Sequence, residues 1–217
     1  YGYDKKYYAE VVLRRDGSSR FGENYRYGFF PSGSLAWRID KESFMQDMEN
    51  ITFLKLRTSI GMLGNQEIGN YSFASLITGG DYYPFSSVPD IGYYLFQHGN
   101  ENLRWENQVQ FNVGIDAGMF NDRLYIYADY FRKVTNDMLV QAPLPPSSGD
   151  ATPPYFNAGS VLNSGIEAEI NFKTKKKDFY YDLGLVFSHI SNRVLELYGD
   201  KPILAGRIDN GVYATLT

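Results

Sequence analysis

Between Gln108 and Met119 the side chains alternate without a break. Gln108, Gln110, Asn112, Gly114, Asp116 and Gly118 share one face, and Val109, Phe111, Val113, Ile115, Ala117 and Met119 share the other. A period of two over this length specifies a long strand with one polar and one apolar face. Strands in soluble sheets commonly run about five or six residues, whereas crossing a bilayer at a tilt takes roughly 9 to 11. The pattern points to a strand of a transmembrane β-barrel.

Six further segments read the same way. They run from about Tyr7 to Arg15, Phe29 to Ile39, Ile51 to Gly61, Arg123 to Arg132 or beyond, Asn163 to Phe172, and Phe179 to Ser191. Leu54, Leu56 and Ile60 oppose Lys55, Arg57 and Ser59, and Ile166, Ala168, Ile170 and Phe172 oppose Glu167, Glu169 and Asn171. No segment is apolar on both faces, which argues against a buried parallel sheet. The fold class expected is all-β, an antiparallel meander of about seven long strands over residues 1–217.

The connections alternate in length. Asp4 to Lys6, Phe120 to Asp122 and Thr174 to Asp178 are tight turns, while Asp16 to Gly28, Gly64 to Glu106 and Gln141 to Gly159 are long. Asp40 to Asn50 is intermediate, with Ser43 and Gln46 at capping-box spacing for one helical turn. Long loops at one end and short turns at the other are the asymmetry of outer-membrane barrels. No apolar run approaches the roughly 18 residues of a membrane helix, a test that barrels evade because half of each strand is polar.

Charge and composition remove several function classes. A formal net charge of -4 offers no electrostatic case for nucleic acid, and Lys175 to Lys177 beside Asp178 reads as a solvated turn. The absence of Cys removes disulfides, thiolate metal sites and Cys nucleophiles together. The chain opens on Tyr1-Gly2-Tyr3 as though entering mid-strand, the expectation for a piece of something larger.

Several motifs occur in order along this frame. They are Arg14-Arg15-Asp16-Gly17-Ser18-Ser19-Arg20-Phe21-Gly22, then Tyr27-Gly28-Phe29-Phe30-Pro31-Ser32 with Ala36-Trp37-Arg38, then Leu54-Lys55-Leu56-Arg57 with Ser59, and Gly64-Asn65-Gln66. Asn102-Leu103-Arg104-Trp105-Glu106 follows, with Asp129-Tyr130-Phe131, Asn157-Ala158-Gly159 and Asn163-Ser164-Gly165-Ile166-Glu167. Their order and spacing closely resemble the barrel signature of the SusC/RagA family of TonB-dependent outer-membrane transporters. The resemblance implies a sector of a plugged barrel of about 22 strands in the outer membrane of a Gram-negative bacterium, with long outer loops and short periplasmic turns. It also implies nutrient import driven through TonB and a SusD-like surface lipoprotein as partner. The nutrient expected is an oligosaccharide, or else a peptide.

Catalytic chemistry finds little support. Glu167 and Glu169 share a strand face, but a lumen-facing polar strand explains them as well as a glycosidase pair does. His98 and His189 fall in different segments and give no His-rich metal set. There is no nucleophile elbow and no phosphate loop. No enzyme activity and no cofactor are expected.

The candidate binding residues are loop aromatics: Tyr82, Tyr83, Phe85, Tyr93, Tyr94 and Phe96 in the longest connection, with Tyr155 and Phe156 after the proline-rich one. Flat rings stack on sugars, and the same rings anchor protein interfaces. Packing within the loops, docking of the lipoprotein and contact with substrate all remain open for them. Trp37 and Trp105 sit near strand ends and read as membrane-interface residues. The rival function is a soluble, secreted β-sandwich module that binds glycans through the same loops.

Overall fold

The computed structural model describes residues 1–83, 90–141, 152–176, 179–196, 204–207 and 213–215. Its centre is one eight-stranded antiparallel sheet. Seven strands are long: β2 (Tyr7–Gly17), β3 (Tyr27–Arg38), β4 (Ile51–Asn65), β7 (Glu106–Met119), β8 (Leu124–Asn136), β11 (Ser160–Lys176) and β12 (Phe179–Glu196). A two-residue β1 (Gly2–Tyr3) precedes them, and the spatial order is β1-β2-β3-β4-β7-β8-β11-β12. Three short pairs lie outside this sheet: β5 (Leu76–Tyr83) with β6 (Asp90–Gln97), β9 (Leu139–Gln141) with β10 (Tyr155–Asn157), and β13 (Leu204–Arg207) with β14 (Tyr213–Thr215). The expected meander is present, and each long strand falls where the alternation places it.

Register turns the alternation into two continuous faces. Tyr7, Trp37, Leu56, Ile115, Ala128, Ala168 and Phe187 lie side by side across the sheet, an apolar row seven strands wide. One residue along, Tyr8, Ala36, Arg57, Gly114, Asp129, Glu167 and Ser188 form the matching polar row. The polar face is the more enclosed: Asp116 is 8% exposed while its neighbour Ile115 is 40% exposed. A water-soluble sheet has the reverse distribution. Among the described residues no second sheet covers the apolar side, as a sandwich would require.

The seven strands are 11 to 18 residues long. At about 3.3 Å per residue even the shortest, tilted by about 45°, rises about 25 Å, the height of the apolar band of an outer-membrane barrel. The sheet is a sector of a transmembrane β-barrel that does not close on itself.

Short turns gather at one end. Asp4 and Lys5 both take positive φ, and Lys6 N–H bonds to the Tyr3 carbonyl at 3.0 Å, the two-residue hairpin that matches strand twist. Phe120, Asn121 and Asp122 are all left-handed, and Arg123 N–H closes back on Met119 O at 3.1 Å. Asn and Asp tolerate that conformation, whereas Phe120 adopts it at a cost of about 1–2 kcal/mol. Its N–H bonds to Asn50 O at 2.8 Å, tying this turn to the neighbouring one.

The connection after β3 departs from the capping-box expectation. Two 3-10 segments form, Ile39–Lys41 and Ser43–Met45, and neither has a side-chain cap. Ser43 is the first residue of the second segment, and Glu42 precedes it with its carboxylate already committed to Tyr7 and Trp37.

Candidate functional site

The connections 18–26, 66–105 and 137–159, the last two the longest between the described strands, leave the sheet at the end opposite the 4–5, 39–50 and 120–123 turns, and their described parts build an outer rim. Its core is Phe21, Phe30, Ile68, Leu103 and Trp105, with Tyr25, Met62, Leu139 and Tyr155 packed around it. Phe21 and Leu103 are fully buried, each side chain contributing about 1.5–3 kcal/mol by its removal from water. The Trp105 ring lies 5.3 Å from Phe21 and 5.4 Å, edge-on, from Phe30. Phe30 in turn lies over Gly64, where any Cβ would collide with its ring.

Trp105 is therefore not a girdle residue. It is 6% exposed, and its indole N–H donates to the Arg26 carbonyl at 3.4 Å. The partners that enclose it come from a connection some 80 residues earlier, which strand-end position alone does not reveal. Trp37 does lie on the apolar face, at the short-turn end. It stacks with Tyr7 at 6.4 Å between centroids, and its N–H donates to Glu42 at 3.0 Å.

Polar bonds complete the rim. Arg20 donates to the Gln66 carbonyl at 3.1 Å, and Ser18 Oγ accepts the Arg20 N–H at 3.2 Å. Arg104 donates to Asp137 at 2.6 Å, and this contact holds the guanidinium pKa above its ordinary value. Glu106 accepts from Asn65 Nδ2 at 3.3 Å and from Leu139 N–H at 3.1 Å. Of the motif residues, Ser18, Arg20, Phe21, Phe30, Asn65, Gln66 and Leu103 to Glu106 thus belong to the frame on which the outer loops stand.

Hairpin β5–β6 rises from that frame. Ile77 pairs with Leu95, Gly79 with Tyr93 and Tyr82 with Ile91, so that Ile77, Tyr82, Ile91 and Tyr93 share one uncovered face. Tyr82 is 67% and Tyr93 74% exposed. Tyr94 and Phe96 lie on the other face, Tyr94 half-buried and Phe96 exposed, and Tyr83 pairs with Asp90 in the register. Tyr155 and Phe156, both half-buried on β10, join the same rim, and Asn100 Nδ2 donates to the Tyr155 carbonyl at 3.0 Å. Phe85 lies outside the described residues. The structure gathers the other candidate aromatics at one end but divides them between two hairpin faces and a second pair of strands.

Below the rim the polar face carries a charged network. Arg57 donates to Asp116 at 2.9 Å and to Asp129 at 2.6 Å, while Lys55 lies 3.8 Å from Asp116. A groove on this face is lined by Ser34, Lys55, Arg57, Ser59, Asn112 and Gly114. Glu167 and Glu169 belong to the same face, and Glu169 accepts from Asn171 at 2.7 Å. His98 follows β6 and His189 lies on the outward face of β12 beside Ile166. Among the described residues no group of acidic and histidine side chains is placed to hold a metal.

Comparison with known proteins agrees with this architecture. The chain is 40% identical over 198 residues to TonB-dependent receptor P39 of Formosa agariphila, covering 91% of this chain and 19% of that protein. It is 37% identical over 204 residues to the TonB-dependent receptor SusC of Bacteroides thetaiotaomicron, covering 89% and 20%. Among solved structures, the RagAB peptide transporter superposes with a TM-score of 0.86 at 32% identity, over 99% of this chain and 23% of that one. The chain thus spans about a fifth of the length of the curated relatives it matches. The family model described as TonB dependent receptor-like, beta-barrel matches residues 2–212, and with nearly the whole chain inside that match the protein belongs to the TonB-dependent receptor β-barrel family, of the SusC/RagA type.

Proposed function

We propose that this chain forms part of the wall and outer rim of an outer-membrane importer that takes up oligosaccharides with a SusD-like surface lipoprotein, using energy delivered by TonB through a plug domain. One observation carries the reading. Seven strands long enough to span a bilayer put their apolar residues outward and, apart from Arg15, Arg132 and Arg193 toward the rim, their charged residues inward, and the two longest connections among the described strands, 66–105 and 137–159, lie at one end. The apolar row meets lipid, the Arg57–Asp116–Asp129 face lines a watery lumen, and the rim faces the cell exterior.

The substrate class is drawn from the rim. Tyr82, Tyr93, Tyr94, Phe96 and Tyr155 offer flat rings for sugar faces and hydroxyls for sugar oxygens. A peptide cargo is the second reading, favoured by the likeness to the RagAB peptide importer. Transport rather than catalysis suits a polar face on which Asp116 and Asp129 are spent on their pairs with Arg57.

The test is to recover the native protein from detergent-solubilised outer membranes with an antibody to this segment and identify what accompanies it. A large polypeptide with a plug and a surface lipoprotein is the expected result, and the lipoprotein's ligand then separates sugar from peptide. A small soluble protein recovered alone would defeat the proposal.

A further inference from the structure

Two long connections meet along the rim in three rungs. Thr152 N–H donates to the Phe96 carbonyl at 2.7 Å, and Asn100 Nδ2 donates to the Tyr155 carbonyl at 3.0 Å. The third rung is Asn157, which meets Arg104. The donor and acceptor positions climb together, 96, 100 and 104 against 152, 155 and 157, so two segments run side by side that lie far apart in sequence. The first descends from hairpin β5–β6, and the second carries Tyr155 and Phe156.

Asn157 does most at the root of this seam. Its Oδ1 accepts the Arg104 N–H at 2.9 Å, and its Nδ2 donates to the Arg104 carbonyl at 2.7 Å and to the Asp137 carbonyl at 2.9 Å. One side-chain amide thereby satisfies three backbone groups on two other segments, using its oxygen and both of its hydrogens. Ala158 N–H bonds to Met138 O at 2.8 Å beside it, and Asp137 holds a left-handed φ of 55°. The Arg104 guanidinium closes the same corner on the Asp137 carboxylate. Only an amide has this pattern of donors and acceptor. Aspartate of the same shape keeps the acceptor, loses both donors, and sets negative charge against two carbonyl oxygens and a neighbouring carboxylate.

We propose that Asn157 is a positioning residue that locks the two long connections into one body, so that the aromatics of β5–β6 and of β10 meet a ligand as a single preformed surface. The proposal rests on the importer reading for its consequence, because a surface ordered in advance spares the ligand the cost of ordering it. Its physical content, the mechanical coupling of the two connections, stands apart from what is transported.

The experiment is hydrogen exchange on the complete receptor in detergent, with Asn157→Asp compared with wild type and with Asp137→Asn. Assembly of the barrel is checked by its shift on heating before electrophoresis. In Asn157→Asp, amides over 90–104 and over 152–157 are expected to exchange together, about tenfold faster or more, with β4 and β7 unchanged. Asp137→Asn keeps the amide bonds and is expected to leave both segments near wild type. Should Asn157→Asp fail to assemble, Asn157→Ala is read by the same criterion. Faster exchange confined to 155–158 would overturn the proposal, and so would an equal effect from Asp137→Asn. If wild type proves to import nothing while the coupled exchange is seen, the importer reading falls and the lock stands.

Discussion

Arg57 on β4 donates to Asp129 on β8 at 2.6 Å although β7 runs between their strands. Neighbouring strands lie about 4.8 Å apart, so this pair spans two spacings. It does so over Gly114, which occupies the intervening position of the same row; any Cβ there would collide with both the carboxylate and the guanidinium. Gly114→Ala is expected to part the pair and lower stability by up to about 1.5–3 kcal/mol, the range for hydrogen bonds to charged groups. Denaturant midpoints of the complete receptor in detergent check this, and an unchanged midpoint would sink it.

The division of faces makes a sharper prediction. Ile115 and Leu56 adjoin in the apolar row, while Asn112 and Ser59 pair on the polar face and hydrogen-bond at 3.1 Å. Lysine at either apolar position is expected to cost about 2–4 kcal/mol near the bilayer midplane. Lysine at Asn112 or Ser59 points into water and should cost far less. Folding yield into lipid vesicles measures the contrast, and equal losses from both pairs of variants would refute the assignment of lipid and lumen.

These strands are legible because a single constraint, lipid on one side and water on the other, acts on every residue and leaves a period of two. Above the membrane that constraint lapses. β5 and β6 pair through register shifts at Leu76/Ile77 and Gly79/Asp81, so their alternation breaks. With Ile77, Tyr82, Ile91 and Tyr93 uncovered on one side and Phe96 exposed on the other, neither face is marked as polar. The aromatics there are visible in the sequence, but their division between faces is a property of the bulges. Trp105 fails for another reason: its environment is supplied by Phe21 and Arg26, partners too distant in sequence to be inferred from local pattern.

Glu42 gives the short-turn end a pH response. It accepts from the Tyr7 hydroxyl at 2.6 Å and from the Trp37 indole at 3.0 Å, with Lys6 at 3.4 Å, and the Tyr7 bond leads in holding its pKa below the ordinary 4.5. A lowered folded pKa means the stabilising contribution is whole above the unfolded value and is lost as pH falls through the folded one. Wild type should therefore exceed Glu42→Gln in stability above about pH 5, with the gap closing below 4.5. Paired denaturation curves across that window test this, and a gap that widened on acidification would reverse the sign.

The rim core should fail separately from the barrel wall. Phe21, Leu103 and Trp105 bury their side chains against one another and against the strand ends, not within the ladder of the sheet. Truncating a buried Trp typically costs about 3–5 kcal/mol. Here that loss falls on loops whose remaining ties include the Arg20–Gln66 contact and the bonds from Asn157 to Arg104 and Asp137. Trp105→Ala is expected to leave barrel assembly intact while proteases cut within 66–105 and 18–26 at least tenfold faster. Were the barrel itself lost, the rim would be part of the folding core of the sheet rather than a structure built on its edge.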